Sequence, residues 1–148
     1  MAQRVEDLKV WQRARAFCVA VNAIIGRPGF QRDRRLREQL EDAVDSVISN
    51  IAEGFTQPTD KAFARYRFIS KASNAEARTR LLPACDKGYI TSEEFDSCNG
   101  IADEVARMTT GLIKYLVRSD RRDRCLGRAS APNALRSPSR LGPTGTAD

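Results

Sequence analysis

From Asp33 to an expected helix end at Gly54 the residues Leu36, Leu40, Val44, Val47, Ile48 and Ile51 recur every three or four positions, with charged and polar residues filling most of the gaps. That spacing gathers the apolar side chains on one stripe of a helix and leaves the opposite face to water, so the segment needs a second apolar surface to pack on. A half-buried strand would need alternation with period two, and no useful length of the chain alternates in this way. The sequence therefore predicts helices packed on helices.

Three further segments supply the partners. From residue 7 to 25, Val10, Trp11, Ala14, Phe17, Cys18, Val21, Ile24 and Ile25 fall on one arc of a first helix, opened by Asp7 and closed by Gly26 and Pro28. A third helix is predicted from Asp60 to Asp86, ahead of Gly88, with Pro83 expected to kink its last turn. The fourth opens on Thr91-Ser92-Glu93-Glu94, a capping box, and carries Phe95, Cys98, Ile101, Val105, Met108, Leu112, Ile113 and Leu116 to about residue 118. Four such helices on short connections predict an all-α fold, an antiparallel up-down-up-down four-helix bundle over residues 1–118. Residues 119–148 hold six arginines and three prolines with few apolar side chains, and are expected to form a basic, disordered tail.

Composition narrows the chemistry. The chain of 148 residues has no histidine, which removes the usual general base, the Ser-His and Cys-His pairs and the Glu-x-x-His metal motif. Cys18, Cys85, Cys98 and Cys125 are widely spaced and form no C-x-x-C pair, so they are expected as small core residues, with Cys125 in the tail. The expectation is a non-enzymatic protein with no metal, no cofactor and no membrane segment, located in the cytoplasm. A net charge of +6 suits an anionic partner such as nucleic acid without proving one.

The third helix does not show a single stripe. Ala62, Tyr66, Ile69, Ser73 and Ala77 cluster on one side, while Phe68, Ala72, Ala75, Thr79 and Leu82 cluster nearly opposite. One side can face the core, and the other needs a second surface, for which another copy of the chain is the simplest candidate. Between them Arg67, Lys71 and Arg78 fall within about 40° of one another, a cationic stripe able to follow a phosphate backbone or simply to face solvent. Arg32, Arg34, Arg35 and Arg37 crowd the start of the second helix, where the macrodipole disfavours cations. They either meet an external anion or are neutralised by i,i+4 pairs such as Arg34 with Glu38 and Arg37 with Glu41.

The run Asp7-Leu8-Lys9-Val10-Trp11-Gln12, the run Ser49-Asn50-Ile51-Ala52-Glu53-Gly54 and Gly88-Tyr89-Ile90 resemble the family of 23S rRNA intervening-sequence proteins over residues 5–118. The resemblance implies a four-helix bundle assembled as a ring-shaped homopentamer, encoded in some bacteria inside insertions of the 23S rRNA gene, with RNA as the expected partner. Asp7, Trp11, Asn50, Glu53 and Gly54 are the signature positions. Their expected work is structural, with Asn50 and Glu53 bonding the start of the first helix or a neighbouring subunit. A more distant resemblance to the accessory variability protein (Avd) of diversity-generating retroelements implies an alternative, a protein scaffold that engages a reverse transcriptase.

Overall fold

The structure, a computed structural model, describes residues 4–129, with side chains to Arg122 apart from Asp120. A single 3-10 turn (Val5–Asp7) leads into α1 (Lys9–Ile25), a short α2 (Pro28–Arg32), α3 (Arg34–Phe55), α4 (Asp60–Asp86) and α5 (Ser92–Ala129). Four of these helices are long, and no strand occurs among the described residues.

The helix ends follow the local chemistry. Asp33 caps α3, its Oδ1 accepting the Leu36 amide at 3.2 Å, and Thr59 caps α4 by accepting the Ala62 amide at 3.2 Å. At the start of α5 the capping box forms as expected, with Thr91 N donating to Glu94 Oε2 at 2.9 Å and Glu94 N donating to Thr91 Oγ1 at 3.2 Å. Gly88 takes φ +73 just beyond α4, the left-handed conformation that lets the Tyr89 amide reach back to the Ala84 carbonyl at 2.9 Å. Pro83 is accommodated within α4, which still runs to Asp86.

Each long helix touches two others: α3 packs on α1 and α4, and α5 packs on α1 and α4. Contacts run in opposite chain order. Ser70 Oγ donates to the Val47 carbonyl at 2.9 Å and Ser46 meets Ser73 at 2.7 Å, while Asn74 reaches Ala102 and Arg78 reaches Asn99. From that register Asp60 lies level with about residue 116 of α5. The helix nevertheless continues to Ala129, so the expected end near residue 118 is not a helix end. Residues 130–148 of the expected tail lie outside the described residues.

Two apolar clusters fill the interior. The larger joins Phe17, Val21, Ile24, Phe30, Leu40, Val44, Leu81, Ile90 and Cys98, and the smaller joins Val10, Ala14, Val47, Ile51 and Val105. Each fully buried Leu, Ile, Val or Phe contributes about 1.5–3 kcal/mol. The connection after α1 and the connection after α4 meet at one end of the molecule, where Phe30 and Tyr89 have ring centroids 5.4 Å apart.

Candidate functional site

α4 organises the candidate site because its buried seam is partly polar. Its buried residues are Ala64, Arg67, Ser70, Asn74, Ala77, Leu81 and Ala84, spaced three or four apart throughout, as on a bundle-facing helix. Three of these seven residues, Arg67, Ser70 and Asn74, are polar, so a search for apolar periodicity misses the seam. Ser70 satisfies itself on the Val47 carbonyl, Asn74 Nδ2 donates to the Ala102 carbonyl at 2.8 Å, and the buried Thr109 hydroxyl donates to the Val105 carbonyl at 2.7 Å. A long-range bond to a backbone carbonyl ties α4 to α3 and to α5 in turn.

Asn74 Oδ1 is left without a partner among the described residues, and Arg67 is left wholly without one. Its side chain has 0% exposure, and Nε, Nη1 and Nη2 have no hydrogen-bond partner among the described residues. The guanidinium lies 4.4 Å from the centre of the Phe63 ring. Burial pushes its pKa down to about 10, which still leaves it charged at neutral pH. A buried, unpaired ion is a cost on the order of several kcal/mol, offset only in part by about 2 kcal/mol from a desolvated cation–π contact.

The expected cationic stripe is therefore not one surface. Arg67 is inside, Arg78 is held by Asp103 at 2.7 Å and by Asn99 at 2.9 Å, and Lys71 alone of the three is exposed with no ion pair among the described residues. The boundary between core and solvent runs between them.

The second basic group divides as well. Arg34 pairs with Glu38 at 2.6 Å, and Arg37 donates to Gln31 at 2.7 Å and lies 3.9 Å from Glu41. Arg32 and Arg35 are exposed and have no ion pair among the described residues. Nearby, Lys87 binds Asp33 at 2.6 Å, and this bond, with the Leu36 amide, holds the Asp33 carboxyl below its ordinary range. Arg27 makes a bidentate contact to Glu94, whose pKa is held down to about 2 first by that contact and then by the Thr91 amide. Sequence reading missed both of these links, since their partners lie 54 and 67 residues apart.

The signature residues take local roles. Asp7 accepts the Arg4 amide at 3.1 Å, and Trp11 packs half-buried beside the smaller cluster. Asn50 does not reach the first helix: its Nδ2 donates to the Ser46 carbonyl at 2.8 Å and to Ser46 Oγ at 3.1 Å, and Ser46 in turn meets Ser73 of α4. Glu53 is exposed, and its carboxylate makes no bond among the described residues. Gly54 is not a helix-ending residue, since α3 continues through Phe55 to a cap at Thr56. A Cβ there would lie 2.8 Å from Phe63 Cδ2 and 2.9 Å from Tyr66 Cβ, so glycine is what lets α3 and α4 approach.

On the outer side of α4, Phe68 is 57% and Leu82 51% exposed, with Ala72, Ala75 and Thr79 exposed between them. This is the second apolar side that the sequence separated from the core. It borders a cleft of about 410 Å³ lined by Ala75, Arg78, Thr79, Leu82, Phe95 and Asn99.

Four long helices around a mixed core, with no strand among the described residues, define an all-α helical-bundle protein. The sequence profile of the 23S rRNA-intervening sequence protein family matches residues 6–111, and the chain belongs to that family. A crystal structure of a protein of unknown function from the S23 ribosomal protein family of Bacteroides thetaiotaomicron VPI-5482 has a similar fold. Its TM-score is 0.64 at 19% identity, over 71% of this chain and 98% of that one. No curated protein matches the chain.

Proposed function

We propose that this protein is a non-enzymatic, homo-oligomeric up-down-up-down bundle of the cytoplasm that associates with structured RNA. The observation that carries the reading is the exposed, unpaired state of Arg32 and Arg35 among neighbours that are neutralised locally, with Lys71 the exposed, unpaired member of the α4 group. Cations left without acids suit phosphates, and the family name ties its members to the 23S rRNA gene. Arg34, Arg37 and Arg78, which are paired, contribute less, and Arg67 contributes nothing in the closed packing. Filter binding of structured rRNA fragments at two salt concentrations tests the reading, and absence of binding at low salt removes it.

The outer stripe of α4 supports self-association, for which the family resemblance suggests a ring-shaped homopentamer. A second reading, an adaptor that engages a reverse transcriptase or another protein, is favoured by the cleft beside Leu82 and Phe95. It predicts a complex whose affinity changes little with salt.

A further inference from the structure

The geometry points to Arg67 as a concealed binding residue for an oxyanion of the phosphate class, which it would hold together with Lys71 once the first two turns of α4 loosen. Three observations converge on it. The guanidinium has all of its nitrogens unpartnered and no exposure, so the closed packing wastes five donors arranged in the fork that matches a phosphate. No acceptor among the described residues bonds it: the Ser70 and Thr109 hydroxyls donate to the Val47 and Val105 carbonyls and take no bond from the guanidinium. Lys71 follows one turn later, exposed and without an ion pair among the described residues, and two like charges at i,i+4 repel until an anion bridges them.

The cover is a short stretch of helix. Phe63 stacks on the guanidinium, meets Phe55 edge-on with centroids 6.4 Å apart, and rests on Gly54. The three guanidinium nitrogens touch no solvent, so no ion fits beside them as packed. Movement of Asp60–Arg67 away from α5 would open the fork toward Lys71. This inference does not depend on RNA being the partner, since free phosphate presents the same chemistry.

The test melts the full chain at pH 7 in sodium chloride and in sodium phosphate of equal ionic strength, as wild type, Arg67→Met and Lys71→Gln. The expected result is a wild-type melting temperature about 3–6 °C higher in phosphate, a smaller rise for K71Q and none for R67M. R67M itself is expected to melt above wild type in chloride, because an apolar side chain of similar length replaces an unpaired buried ion. Equal phosphate shifts in wild type and R67M, or an R67M that melts below wild type in chloride, would overturn the inference. Adding a short RNA duplex in place of phosphate separates the two sources: an R67M-sensitive shift with RNA assigns backbone phosphate, and one with phosphate alone assigns the free anion.

Discussion

Gly54 of α3 and Tyr66 of α4 approach so closely that a Cβ on the glycine would lie 2.9 Å from the Tyr66 Cβ, an atom fixed to the backbone. Glycine inside a helix normally destabilises it by about 1 kcal/mol relative to alanine, and here the sign reverses. Gly54→Ala is expected to lower stability by about 1–3 kcal/mol through forced separation of the helices. Gly111→Ala on α5, where nothing lies within 4 Å, is expected to raise it by about 0.5–1 kcal/mol. Urea unfolding of the two variants decides whether Gly54 is a packing residue or a helix terminator.

The Asn50–Ser46–Ser73 chain joins α3 to α4 at half-buried positions. Ser73→Ala is expected to cost about 1 kcal/mol, and a double-mutant cycle of Ser46→Ala with Ser73→Ala should show coupling of about 0.5–1.5 kcal/mol. Glu53→Ala, at an exposed residue without a partner among the described residues, should stay within about 0.5 kcal/mol of wild type. A larger loss at Glu53 would place its partner in another subunit.

Acid should loosen the end where the two connections meet. The folded pKa of Glu94 is depressed to about 2 from 4.5, and that of Asp33 is depressed as well, so both carboxylates bind protons less readily when folded. Their contribution is present above about pH 4.5 and is lost as the pH falls toward about 2. Denaturant midpoints measured between those limits should fall steeply for wild type and less steeply for Glu94→Gln.

The outer stripe of α4 should hold copies of the chain together. Phe68→Ser combined with Leu82→Ser removes its two largest exposed apolar side chains without entering the core. Light scattering is expected to show a mass reduced toward that of one chain, with circular dichroism unchanged. An oligomer that survives both changes places the subunit interface elsewhere.

Much of the fold was legible because helices announce themselves locally. The stripe from Leu36 to Ile51, the Thr91–Glu94 box and the Asp60 to Asp86 span all rest on near neighbours, and the structure has them in place. The seam of α4 was not legible, because Arg67, Ser70 and Asn74 are polar residues kept inside by bonds to distant carbonyls or, for Arg67, by stacking on Phe63. Apolar periodicity therefore split α4 into two sides and put Arg67 on the surface. Gly54 misled for a related reason: a glycine near a helix end reads as a terminator, and only the position of Tyr66 shows that it is a spacer.

Arg32 at the end of α2 and Arg35 in the first turn of α3 are the exposed cations on which RNA association most depends, and a salt titration of RNA binding addresses them directly. Wild type and an Arg32→Gln, Arg35→Gln double variant would be titrated with structured 23S rRNA fragments from 50 to 200 mM salt. The expected outcome is wild-type affinity whose logarithm falls by about 0.7–0.9 per phosphate contact for each tenfold rise in salt, with a slope shallower by about 1–2 in the double variant. No binding by wild type at 50 mM salt, or the same slope for both proteins, would contradict it.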